Sequence, residues 1–159
     1  MGEVGPRVAR LLESRSIELV EPDDRAVLGY WEKARRALAD AGLEGASREG
    51  AFERAYQAGF LVATAVLHSR GYRVRGSAAG HHYVVFYALG EFGAEASARL
   101  ADELNDLRGL RHEAFYEAIP VTEAQDVERM VAAATELFEL GKEMISRVRP
   151  EPTERLPEE

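Results

Sequence analysis

The sequence predicts an all-α protein, an up-and-down bundle of four to five main helices with no sheet. Three observations carry this prediction. Apolar residues recur at three-and-four spacing over long segments, helix-start and helix-stop residues bracket those segments, and the connections between them are short. With 159 residues, 46% hydrophobic and 30% charged, the chain has an ordinary globular balance and reads as one domain able to bury a core. No period of about 20–50 residues repeats, which excludes a solenoid.

The elements follow in order. The first 15 residues form a short, weaker helix and belong to an N-terminal extension, 1–21. The segment 22–41, "PDDRAVLGYWEKARRALADA", opens with Pro and acids beside the positive end of the helix dipole and stops at Gly42. Over 47–70, Phe52, Ala55, Tyr56, Gly59, Phe60, Ala63, Val66 and Leu67 trace one buried face, and Gly71 ends the helix. The run "HHYVVFYALGEF" has a strand's composition, yet the rest of the sequence offers no partner strand. It is predicted to be a buried helix of about three turns, breaking near Gly90 and Gly93. The next helix spans 94–118 and stops before Pro120. Thr122, with Gln125 three residues on, gives a capping-box pattern for the last helix, which carries Val127, Val131, Ala134, Leu137, Phe138, Gly141, Ile145 and Val148. The bundle is therefore expected over 1–148, and "RPEPTERLPEE", 149–159, is expected to be a flexible acidic tail.

Composition narrows the function classes. No apolar run approaches the roughly 18–20 residues of a membrane span, and the N-terminal segment has no signal-peptide centre. Pro6 stands where a myristoylation pattern needs Ser or Thr, so a cytoplasmic location is expected. The absence of cysteine excludes disulfides, thiolate zinc sites and cysteine nucleophiles. A net charge of −8 opposes broad coating by nucleic acid but leaves room for a local basic pocket.

Such a pocket has a candidate. "HSRGYRVRGSAAGHHY", 68–83, holds three of the four histidines and three arginines without one acid. A second basic group lies late in the chain. Leu100, Leu104, Leu107, Arg111, Ala114 and Ala118 share one helical stripe, which places Arg111 among apolar neighbours. A guanidinium there requires either a buried acid or the bundle's edge, or else serves to bind phosphate at a groove or dimer seam. Arg108, His112 and Tyr116 form a column four residues apart on one face.

Together, "YWEKA", "AYQAGFLVATAVLHSRGYRVRG", "GHH" and "LRGLRHEAFYEA" resemble the HEPN domains of prokaryotes, over about residues 30–148. The last of these motifs is the most specific. The resemblance implies a compact helical bundle, symmetric pairing into a homodimer, and a frequent association with a small nucleotidyltransferase. Members with ribonuclease activity carry an Arg followed, four to six residues later, by a His near the end of the bundle. Here Arg111 fits the arginine, but Tyr116 stands in the histidine's place, and His112 follows too closely on Arg111 and Arg108. Arg75 and His81 have the spacing but span a loop and a helix start. Tyrosine, with an ordinary pKa near 10, is a poor proton acceptor at neutral pH where histidine titrates near 6.5.

Other chemistries fit less well. Adjacent His81 and His82 point about 100° apart on a helix, and no carboxylate of matching spacing joins them and His68, so no metal and no cofactor are expected. "GYRVRGSAAG" lacks the Lys-Ser/Thr ending of a P-loop, and Ser77 has no nucleophile elbow. His81 and His82 either bind a ligand or simply cap the next helix and face solvent. The expected function is a non-catalytic nucleotide- or RNA-binding and partner-interaction module, paired with a nucleotidyltransferase in a toxin–antitoxin type of system. Its phosphate site is expected to combine Arg73, Arg75, His81 and His82 with Arg108 and Arg111. The alternative is a metal-independent endoribonuclease using Arg108, Arg111, His112 and Tyr116.

Overall fold

The structure, a computed structural model, describes residues 4–76, 80–93, 95–116 and 122–149, with only the backbone described over 110–116. Along these residues run α1 (Pro6–Glu13), β1 (Ile17–Leu19), α2 (Asp24–Ala41), α3 (Arg48–Ser69), β2 (Tyr72–Val74), α4 (His81–Leu89), α5 (Glu95–Tyr116) and α6 (Ala124–Ser146). No helix among them is long and apolar enough to cross a membrane.

The caps explain the boundaries. Asp23 accepts the Arg25 N–H at 2.9 Å and opens α2, while Ser47 accepts the Gly50 N–H at 3.0 Å and opens α3. Gly71, at φ +82, turns the chain out of α3. The last helix begins one residue later than its sequence pattern suggests. Glu123 is its N-cap, and the Glu123 N–H donates to Asp126 Oδ2 at 2.9 Å, while Thr122 is buried before it.

α3 is the centre of the bundle, with α2, α4, α5 and α6 packed around it. Its apolar face meets Trp31, Phe86, Leu104 and Leu137, all fully buried, and Trp31 stacks on Phe138 with ring centroids 4.2 Å apart. Leu100, Leu104 and Leu107 form the buried stripe of α5, each stabilising the fold by about 1.5–3 kcal/mol relative to exposure. Within the apolar run 81–92, His81–Leu89 form the helix α4, and the chain leaves it at Gly90.

The expectation of no sheet needs correction. β1 and β2 pair antiparallel, with Ile17 opposite Val74, Glu18 opposite Arg73 and Leu19 opposite Tyr72. Gly71 reverses the chain directly after α3, and its carbonyl accepts the Val20 N–H at 2.8 Å. Ile17 and Val74 then bury their side chains against the core. Three-residue strands are too short to leave a period-two signal. The N-terminal segment is equally part of the packing, since α1 buries Val8 and Leu11 and lies on α4.

Candidate functional site

α2, α3, β2 and α4 enclose a cleft of about 220 Å³, lined by Tyr30, Phe60, Thr64, Leu67, His68, Arg73, Val74, His81 and Val85. Phe60, Thr64, Leu67 and His68 belong to one stripe of α3, which carries them into the cleft together. The left-handed turn at Gly71 brings Arg73 back beside that stripe. Gly80, also left-handed at φ +67, starts α4 so that His81 joins the lining beside Phe60. None of these lining residues is acidic.

The walls are aromatic. The Tyr30 and His68 rings lie 5.0 Å apart at a tilt of 51°, and the Phe60 and His81 rings 6.0 Å apart at 34°. Burial lowers the pKa of His68 below its ordinary value, and the nearby positive charge of Arg73 lowers it further against a weaker pull from Asp23. At neutral pH its imidazole is therefore uncharged and offers one N–H and one lone pair. Thr64 Oγ1 donates to the Phe60 carbonyl at 2.8 Å, which leaves the hydroxyl oxygen as an acceptor.

Arg73 and Arg75 share one carboxylate. Glu18 Oε1 accepts from Arg73 Nε at 3.0 Å and also from Arg73 Nη2, and Glu18 Oε2 accepts from Arg75 Nε at 3.2 Å. The ribbon's register sets this geometry, because Glu18 faces Arg73 directly and Arg75 diagonally. The hydrogen bond from Arg73 is the largest cause of a lowered Glu18 pKa. Two guanidinium groups thus share one carboxylate beside the cleft.

The residues predicted for the site divide. Arg73 and His81 line the cleft, and Arg75 joins them through Glu18. His82 does not line it. One residue's rotation along α4 stacks its ring on Phe60 at 4.4 Å and sets its Nδ1 2.7 Å from the Tyr56 hydroxyl. Arg108 is half-buried on α5, outside the cleft lining, with its Nε buried and without a hydrogen-bond partner among the described residues. The side chains of Arg111, His112 and Tyr116 lie outside the described residues, although the α5 backbone runs through all three positions. Sequence reasoning did not assign Tyr30, Thr64 or Phe60 to the site, nor the clamp on Glu18. An aromatic residue on each of two neighbouring helices, flanking a basic loop, is the signal that could have found the walls.

Arg70, from the same basic stretch, serves the fold. Its Nη2 donates to the carbonyls of Phe92 at 3.3 Å and Met144 at 3.2 Å, and its guanidinium lies 5.5 Å from the centre of the Phe92 ring. It borders a larger cleft of about 570 Å³ beside α1 and β1, walled by apolar side chains such as Val8, Leu12, Leu19 and Tyr72. That cleft has the greater volume, but its central cation already binds two backbone carbonyls.

Fold and cleft together define a small helical-bundle module, with basic groups gathered where a central helix meets a short ribbon. The HEPN domain model matches residues 27–145, and the chain belongs to that family. The match begins beyond α1 and β1, so one strand of the ribbon lies outside the matched segment. No curated protein and no solved structure matches the chain.

Proposed function

We propose that this HEPN-domain protein is a non-catalytic module that binds the phosphate of a nucleotide or RNA, acts as a homodimer, and pairs with a nucleotidyltransferase in a toxin–antitoxin type of system. One observation carries the binding part: His68, Arg73 and His81 line a single cleft with no acid in its lining, in a chain whose net charge is −8. An arginine at the mouth of such a cleft, with a neutral imidazole donor inside it, gives an anion a local site in an otherwise acidic molecule. Arginine's planar fork suits phosphate oxygens, and the N-terminus of α4, which opens at His81, adds its dipole. In this reading Arg73, Arg75 and His81 form the near part of the phosphate path. His82, Arg108 and Arg111 are proposed as further phosphate contacts of a longer ligand.

Fluorescence anisotropy with a short labelled single-stranded RNA tests the proposal. Binding should weaken with salt, by a slope of roughly 0.7 in log K per log salt for each phosphate engaged. Arg73→Glu should weaken it at least about tenfold, the effect of about 1.4 kcal/mol. Arg129→Glu on α6, where Arg129 pairs with Glu103, should leave it unchanged. The RNA should remain intact in the presence of a chelator. Absence of binding at low salt, or an Arg73→Glu variant that binds as well as the parent, would overturn the proposal. RNA cleavage abolished by Arg111→Ala or His112→Ala would replace it with the metal-independent endoribonuclease. A monomer in sedimentation would remove the homodimer.

A further inference from the structure

We propose that the cleft receives one unpaired nucleobase, held between the Tyr30–His68 wall and the Phe60–His81 wall, while that nucleotide's phosphate sits at the mouth on Arg73. This rests on the nucleotide- or RNA-binding reading above and names the part of the ligand that enters. Size is the first argument. At about 220 Å³ the cleft is smaller than the roughly 300–1,000 Å³ pockets that enclose a whole small molecule. A sugar, base and phosphate cannot all enter it, whereas one flat ring system can.

The walls are the second argument. A phosphate alone needs donors, not two aromatic pairs on three different helices. Tyr30 on α2, Phe60 and His68 on α3 and His81 on α4 place π-faces around a space otherwise bounded by Leu67, Val74 and Val85. A base gains stacking from such walls whatever its identity, because every base has a π-face. The edge of the base would meet the Thr64 oxygen, whose proton is already given to the Phe60 carbonyl.

The mouth is the third argument. Arg73 is more than half exposed, its side chain at 57%, and stands on the strand that borders the opening. A phosphate linked to an inserted base would meet it without being buried. A duplex cannot present a base in this way without breaking a pair and unstacking it, so the site selects single strands or strand ends.

Three probes of equal length separate base capture from phosphate capture: single-stranded oligoadenylate, the same strand with abasic sugars, and oligoadenylate annealed to its complement. All are read by competition anisotropy against the full-length chain. The oligoadenylate should compete at least about tenfold better than the abasic strand, in line with the measured worth of one stacked base. It should also compete better than the duplex. Phe60→Leu should narrow the first gap while its thermal melt shows the fold intact, and Tyr30→Leu supplies the same test from the other wall if the first variant is unstable. Equal competition by the abasic strand, or stronger competition by the duplex, overturns base capture and leaves phosphate binding standing. If no probe competes and none binds directly, the nucleotide-binding reading falls with it.

Discussion

Two buried glycines on facing helices should respond oppositely to the same methyl group. Gly141 lies where α6 crosses α3 and α2. A Cβ built there would stand 2.4 Å from Val62 Cγ1, 3.3 Å from Trp31 Cζ3 and 3.8 Å from Val66 Cγ2. Carbon atoms pack at about 3.5–4.0 Å, so Gly141→Ala must separate the helices by roughly 1 Å or drive Val62 from its rotamer. Val62 and Trp31 are fully buried, and a β-branched side chain in a helix has one strongly preferred rotamer. Overpacking of this kind costs about 1–3 kcal/mol, partly offset by the roughly 1 kcal/mol that Ala gains over Gly in a helix. The net expectation is a destabilisation of up to about 2 kcal/mol. At Gly59 the added Cβ would meet Leu104 Cδ2 at 3.4 Å, Leu104 Cδ1 at 3.7 Å and Leu137 Cδ2 at 4.0 Å. These are ordinary contacts with the ends of flexible side chains, so Gly59→Ala should stabilise by about 0.5–1 kcal/mol. Urea unfolding followed by the fluorescence of Trp31, the single tryptophan, measures both. In a chain of this size the melting temperatures should move in opposite directions by about 2–4 °C per kcal/mol. A Gly141→Ala protein at least as stable as the parent, or a Gly59→Ala protein less stable than Gly141→Ala, would refute the packing argument.

Glu18→Gln should release Arg73 and Arg75 from their shared carboxylate. RNA affinity should rise and the salt slope should steepen by roughly 0.7 if one more phosphate is engaged, and unchanged or weaker binding would show that the clamp does not compete with ligand. Because the folded-state pKa of His68 lies below its ordinary 6.5, the unfolded chain binds more protons in that range. The stability contributed by the neutral ring is full above about pH 6.5 and is lost as pH falls through the folded-state pKa. Urea midpoints should accordingly drop on acidification below that point, and His68→Gln should flatten the profile; a profile identical to the parent's would rule this out. Arg70→Met should cost about 1–3 kcal/mol, because the carbonyls of Phe92 and Met144 lose a donor. A calorimetric melt reads that loss, RNA affinity should hold, and a variant that melts normally but no longer binds would reassign Arg70 to the site.

Local chemistry made most of the helices legible. Ser47 before α3, Gly42 after α2 and Gly71 after α3 act through their immediate neighbours, and those neighbours can be read in order. The helical assignment of 81–92 came from an absent partner strand rather than from a positive signal, and it holds for α4. The ribbon was not legible, because Glu18 and Arg73 lie 55 residues apart and three-residue strands carry no pattern of their own. Of the His and Arg concentrated over 68–83, His68, Arg73 and His81 line one cleft. That concentration did not separate His81 from His82, since which of two adjacent imidazoles enters the cleft depends on the rotation of α4 set by its start at Gly80. Tyr30 and Phe60 sit on helices whose crossing brings them to the cleft, and a crossing is a property of packed surfaces rather than of either segment.

The ribbon also imposes an order in time on a growing chain. β1 leaves the ribosome well before β2, because Arg73 comes 55 positions after Glu18. At about 5–20 residues per second, that is a wait of roughly 3–11 s. During this interval α2 and the first turns of α3 can close on each other as a local hairpin, whereas Ile17 and Leu19 have no strand to join. When β2 arrives, Gly71 must already be turned before Val74 can find Ile17. The first strand synthesised thus waits for α2 and α3 before it can dock, and until it does, Arg73 and Arg75 stand without the carboxylate that later holds them.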